Sequence, residues 1–199
     1  VSRRETSLDA GYFEGLYRAD PDPWGFSTSA YEQAKYDATL AALGGERVAR
    51  ALEVGCAIGV LTRRLAALCE RLLAIDVSET ALAQARERCA DLPNVELRRM
   101  ALPAETPDGR FDLVVLSEVA YYWDDADLAR MGRVLDAKVE AGGRVLLVHW
   151  TGETDYPQTA DAAVEGLARA AGGGFEVEAA TRAPQYRLDL WRRRSDGQA

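Results

Sequence analysis

A chain of 199 residues, 48% hydrophobic and 28% charged, has the make-up of one ordinary globular domain and excludes a disordered or fibrous protein. Its 32 acidic residues outnumber 24 basic ones, and the net charge of −8 argues against a protein that grips nucleic-acid phosphates or an anionic membrane surface. With one histidine and three cysteines (Cys56, Cys69 and Cys89) in no metal or redox spacing, no metal site is expected, and reduced thiols suit a cytoplasmic protein.

The first forty-odd residues read as helical with one interruption. Asp20-Pro21-Asp22-Pro23 is a turn or extended segment, because each proline disfavours helix at the residue before it. Ser29 is the expected N-cap of a helix from about Ala30 to Leu43, with Glu32 as its capping-box partner and Gly44-Gly45 as its stop. From Arg50 the pattern alternates. Short apolar runs at Ala51–Val54, Leu72–Ile75, Val95–Arg99, Leu113–Leu116 and Val145–Val148 predict buried strands. Helices are expected between them at Leu61–Cys69, Glu79–Cys89 and Asp125–Glu140. Ala160–Ala170 is a further helix, and Phe175–Thr181 with Gln185–Arg192 reads as an antiparallel hairpin. The fold class is therefore α/β and Rossmann-like, a mostly parallel seven-stranded sheet closed by a C-terminal hairpin. A helical lid over residues 1–45 precedes the core at 46–195, and Ser195–Ala199 is expected to fray. No run is apolar for long enough to span a bilayer, and no charged start followed by an apolar core marks a signal peptide.

Leu52-Glu53-Val54-Gly55-Cys56-Ala57-Ile58-Gly59 is a strand running into a loop of small residues and then a helix. Gly55 and Gly59 let backbone approach a ligand closely. Asp76, followed by Val77, ends the second strand at about the distance, roughly 20 residues, where Rossmann-type sites place an acid for ribose hydroxyls; its alternative role is to cap the helix at Ser78-Glu79. A dinucleotide loop needs glycines where this chain has Ala57 and Val60, and Glu53 sets a negative charge where a pyrophosphate would lie. A nicotinamide cofactor is therefore disfavoured. A ligand with an ammonium and a sulfonium, as in S-adenosyl-L-methionine (SAM), fits better. Ala57 in place of a glycine is expected to hold a negative φ. The Ala101-Leu102-Pro103 loop is a candidate adenine lining, and Ser117 closes the fourth strand beside the ligand.

The chain resembles the class I SAM-dependent methyltransferases, and within them the nodulation protein S family. The matching residues are Asp20–Phe26, Ser29-x-Tyr31-Glu32-x-x-Lys35-Tyr36, Leu52–Thr62, Leu116–Tyr122 and His149-Trp150-x-Gly152–Pro157. Founding members of that family N-methylate the free amine of a glucosamine ending a chitooligosaccharide. The resemblance implies SAM as cofactor, S-adenosylhomocysteine as product, and an N-terminal segment folded over the cofactor with Trp24, Ser29 and Lys35 in contact. Lys35 would then pair with the cofactor carboxylate.

Methyl transfer needs an acceptor held in line and, for an amine, in neutral form. His149, where the fifth strand ends, suits a general base, and Glu118, after the fourth, suits a proton acceptor or an ammonium ligand; each is also compatible with a purely structural bond. Tyr31, Tyr121, Tyr122, Trp150 and Glu153 are the candidate contacts to a small-molecule acceptor, such as a sugar or oligosaccharide. Asp124, Asp125 and Asp127 are expected to cap the next helix rather than hold a metal. O-methylation of a sugar or natural product stands as the alternative to N-methylation, ahead of a non-catalytic SAM-binding module.

Overall fold

A computed structural model describes residues 2–195. It divides into two compact units, one of which is Asp9–Ala101. This unit begins with α1 (Ala10–Ala19) and α2 (Ala30–Ala42), followed by β1 (Val48–Val54), α3 (Val60–Leu65), β2 (Cys69–Asp76), α4 (Glu79–Arg88) and β3 (Val95–Arg99). The three strands pair in parallel, with Leu52 opposite Leu73 and Asp76 opposite Arg99. The expected helix over Leu61–Cys69 is shorter, because Cys69 already pairs with Val48 at the start of β2. Ser29 caps α2 as expected, through the Glu32 N–H at 3.4 Å. The reciprocal bond of a capping box is not made: the Ser29 N–H donates to the Gly25 carbonyl, and the Glu32 carboxylate takes Lys35 instead.

The second unit runs from Leu102 and includes the segment before Asp9. Its elements are β4 (Phe111–Ser117), a short 3-10 turn (Ala120–Tyr122), α5 (Asp125–Lys138), β5 (Val139–Trp150), α6 (Ala160–Ala170), β6 (Phe175–Arg182) and β7 (Tyr186–Arg193). Leu113–Leu116 and Val145–Val148 are at most 1% exposed, as the continuous apolar runs of a sheet covered on both faces require. Each such side chain contributes about 1.5–3 kcal/mol by leaving water. Helix α5 stops at Lys138, short of the expected Glu140, and β5 is correspondingly longer. The reason is a bulge. Val139 already pairs with Phe111, and the register resumes at Leu113 and Arg144. Gly142 takes φ 75°, and any side chain at Gly143 would strike the Glu140 carbonyl at 2.9 Å. On the other side of this unit, Gly132 of α5 lies so close to α6 that a Cβ would meet Ala170 Cβ at 2.3 Å.

Strands follow the order β3-β2-β1-β4-β5-β7-β6 in a seven-stranded sheet. Pairing is parallel from β3 to β1 and between β4 and β5, and antiparallel for β5–β7 and β7–β6. This is the mostly parallel sheet with a C-terminal antiparallel hairpin that the alternation predicts. Among the described residues no helix is long and apolar enough to cross a membrane. No cluster of His, Cys, Asp or Glu among them could hold a metal ion.

Candidate active site

The loop after β1 is tied down from within. The N–H groups of Gly55 and Cys56 both donate to the Ile75 carbonyl, and that of Gly59 to Cys56. The Ala57 N–H donates to Asp76 Oδ2 at 2.9 Å, and the Ser78 N–H to Asp76 Oδ1 at 2.9 Å. The alternative role for Asp76, capping the next helix, falls to Ser78, whose hydroxyl takes the Ala81 N–H at 3.1 Å. Asp76 is buried, and burial raises its pKa against the pull of those backbone donors. Its carboxylate retains acceptor capacity for further donors, such as ribose hydroxyls. Ala57 departs from expectation: its φ is 51°, in the left-handed region that favours glycine. Gly59 lies in the same region at φ 79°, where a side chain would be strained and its Cβ would press on Ala85 at 3.0 Å.

Behind this loop Glu53 is 2% exposed, and its Oε2 has no hydrogen-bond partner among the described residues. Burial pushes its pKa up to about 8, the Thr62 hydroxyl beside it opposing this only in part and Asp76 adding to it. A loop that has turned four N–H groups inward is a poor cradle for phosphate. A buried carboxyl with an orphaned oxygen, and a glycine where ligand can come close, suit a cationic ligand. Cys56 is buried at the loop, its thiol pKa raised by that burial, and Val77 follows Asp76 half-buried.

The N-terminal helices dock on this loop. Trp24 stacks on Phe26 and meets Tyr17 edge-on, and Trp24, Phe26, Ala57 and Val60 all pack against the buried cluster of Tyr17, Ile58 and Ala81. Arg88 of α4 donates to the Ile58 carbonyl at 2.8 Å and to the Ser27 hydroxyl at 3.0 Å. Glu14 of α1 is a residue the sequence reading missed. Its carboxylate accepts from the Ser78 hydroxyl (2.8 Å), the Thr80 hydroxyl (2.7 Å) and the Thr80 N–H (3.2 Å), and these bonds hold its pKa down to about 2. No local pattern betrays a cap supplied by so distant a helix. On α2, Lys35 pairs with Glu32 at 2.9 Å, both buried, with Lys35 Nζ 5.0 Å from the Tyr31 ring centroid. Ala101 ends this unit half-buried.

In the second unit Glu118 follows Ser117 at the end of β4 with φ 56°, a strained backbone for a residue with a side chain. Its Oε2 accepts the Tyr121 hydroxyl and, at 2.9 Å, the Trp150 N–H. Tyr121 is buried, and burial with the nearby Glu118 charge keeps its hydroxyl protonated. His149 is fully buried, and its Nε2 accepts the Ala120 N–H at 3.1 Å. A neutral imidazole that accepts at Nε2 carries its proton on Nδ1. Tyr121 stacks on Tyr156 at 5.4 Å, and Tyr122, also buried, meets Tyr156 edge-on at 4.7 Å. Tyr156 belongs to the Gly152–Pro157 loop, of which the sequence singles out only Glu153 as a contact; Glu153 lies exposed on it. Trp150 packs its ring over Gly152, and Leu102 is buried.

The segment before Asp9 straps these loops. Arg3 donates to the carbonyls of Tyr156 and Gln158, each at 3.0 Å, and Arg4 bonds Asp155 through both backbone and guanidinium. Ser7 and Leu8 bond Asp124, Asp127 and the Tyr122 carbonyl. Asp124 caps α5, as expected.

A nodulation protein S N-methyltransferase from Bradyrhizobium japonicum, solved with S-adenosyl-L-homocysteine, superposes with a TM-score of 0.78 at 22% identity, over 93% of this chain and 99% of that one. A Pseudomonas syringae protein, solved as a candidate methyltransferase, is 36% identical, with a TM-score of 0.72 over 83% of this chain and all (100%) of its own. The fold is that of the class I SAM-dependent methyltransferases. Residues 16–140 match the Nodulation protein S family, and the chain belongs to it. Nodulation protein S of Sinorhizobium fredii is 35% identical over 113 residues, covering 56% of this chain and 52% of that protein. The chain spans about half the length of the curated relatives it matches.

Proposed function

We propose that this protein is a SAM-dependent methyltransferase of the nodulation protein S type, transferring a methyl group to a small-molecule acceptor, most specifically the free amine of an amino sugar or oligosaccharide. The observation that carries the cofactor reading is Glu53: a buried carboxyl with an orphaned oxygen behind a loop whose N–H groups point inward. When bound, the cofactor supplies an electrophilic methyl on a sulfonium. In this reading Glu53 takes its ammonium, Asp76 with Val77 its ribose, and Gly55, Cys56, Ala57 and Gly59 the backbone surface against it. Ala101, Leu102 and Ser117 line its base, Trp24 and Ser29 cover it, and Lys35 exchanges Glu32 for its carboxylate. The B. japonicum relative solved with S-adenosyl-L-homocysteine supports the choice of cofactor.

Glu118 is assigned to the acceptor amine. Two hydrogen bonds from Tyr121 and Trp150 fix one oxygen and so aim the carboxylate, which receives the proton that an ammonium must lose before it attacks. His149 is assigned to position the turn: by accepting the Ala120 N–H it holds the segment between Glu118 and Tyr121. With its Nε2 lone pair taken by the Ala120 N–H, His149 is not assigned as the base. Tyr31, Tyr122, Trp150 and Glu153 complete the acceptor contacts in this reading.

The test is incubation with SAM and two chitooligosaccharides, one with a free terminal amine and one fully acetylated, with products read by mass spectrometry. A one-methyl mass gain on the free-amine sugar alone is expected. A gain on both sugars would refute amine methylation. No gain on either, with S-adenosylhomocysteine still bound, would remove chitooligosaccharides as acceptors.

A further inference from the structure

A carboxylate sealed from water without a positive partner is far costlier than a carboxylic acid in the same place. Glu53 is in that position. The titratable groups around it are Asp76 on β2, Cys69 where β2 begins, Cys56 in the loop and Cys89 at the end of α4; the other polar neighbour is the Thr62 hydroxyl of α3. Each of these is neutral or negative, and none is a cation. Its orphaned oxygen has nothing to hold a negative charge in place.

We propose that Glu53 carries a proton until a ligand ammonium reaches the loop, and releases it when the ammonium binds. Cofactor binding is thereby coupled to the loss of one proton to solvent. The inference rests on the SAM reading and goes beyond it: it makes the loop selective for a cation and makes its affinity depend on pH. On binding, the O–H bond of the carboxylic acid breaks and its electron pair stays on the oxygen. The proton passes to buffer, and the ligand ammonium, unchanged, becomes the counter-ion. The pKa pushed up to about 8 by burial is consistent with a protonated group at neutral pH.

Calorimetric titration of the full chain with S-adenosyl-L-homocysteine at pH 7, in buffers of different ionisation heat, counts the protons released. The wild type is expected to release close to one per ligand, with affinity rising about tenfold per pH unit between pH 6 and 7.5. The ligand ammonium is already protonated across that range and adds nothing. E53Q is expected to release none from this position and to bind more weakly, with affinity independent of pH. Asp76 is intact in E53Q, so any proton of its own would still appear there. Binding by the wild type without proton release overturns the inference, as does equal release by E53Q. Failure of the wild type to bind the ligand at all overturns the cofactor reading and this inference with it. Should E53Q fail to fold, Glu53→Met takes its place in assigning the proton, and a wild type that binds without releasing one still overturns the inference.

Discussion

Replacing Ala57 with glycine should stabilise the protein. Ala57 sits at φ 51°, where an L-residue with a side chain costs about 1–2 kcal/mol. Glycine removes that cost but adds roughly 0.5–1 kcal/mol of unfolded-state entropy. The net gain is about 0.5–1 kcal/mol, or roughly 1–4 °C in Tm for a domain of this size. Ala57→Val should move the other way, by about 1–3 kcal/mol, because a β-branched side chain tolerates this region worst. The assay is thermal unfolding followed by circular dichroism at one pH. The hydrogen bond from residue 57 to Asp76 is a backbone bond and survives both changes, so the order Gly, Ala, Val isolates conformation from contact. A glycine variant that melts lower than wild type, or a valine variant that melts with it, would refute the strain.

Glu118→Gln should lower kcat by about 10²–10⁴ while leaving S-adenosylhomocysteine affinity within about twofold, checked by steady-state kinetics and calorimetry. Equal activity would remove the proton acceptor. Glu14→Gln should cost roughly 1–3 kcal/mol through lost charge-assisted bonds to Ser78 and Thr80, read by denaturant unfolding. Because the folded pKa of Glu14 lies below its unfolded value, this contribution is complete above about 4.5 and fades as pH falls toward about 2. The gap between wild type and variant should therefore close on acidification. Gly132→Ala should lower stability by about 1–3 kcal/mol, since its Cβ would fall 2.3 Å from Ala170; an unchanged melting temperature would mean that α6 yields freely. Arg3→Ala with Arg4→Ala should raise the acceptor KM by no more than about fivefold and leave cofactor affinity alone, as exposed ion pairs are weak.

The strands, the glycine loop and Asp76 were legible because short-range spacing determines them: apolar runs, a small-residue turn, and an acid at the end of the next strand. What escaped depends on partners distant in sequence. Ala57 was expected at negative φ on local grounds, yet the loop is shaped by the Asp76 carboxylate and the Ile75 carbonyl, which draw three successive N–H groups inward. Glu32 matched a capping box, but with the Ser29 N–H given to Gly25 its carboxylate turned to Lys35. The end of α5 falls before Glu140 because the ladder to β4 already begins at Val139 and makes the residues between Val139 and Arg144 a bulge. Glu14 and the Arg3–Leu8 strap leave no local trace, since each acts on chain far removed in sequence.

Glycine spacing after a first strand does not by itself separate a phosphate-binding loop from a sulfonium-binding one; the direction of the N–H groups does. A phosphate cradle keeps successive N–H groups convergent on an outside anion. Here Gly55, Cys56, Ala57 and Gly59 spend theirs within the fold, and the helix that follows, Val60–Leu65, is a short one. The buried acid behind the loop runs the same way, because Glu53 gives an anion no positive partner and can ionise only against a cation. Both features act before any contact with the methyl-bearing sulfur is considered. Under the proposed reading, a loop with two of its glycine positions altered would still suit a nucleoside-bearing cofactor whose amino-acid end carries an ammonium.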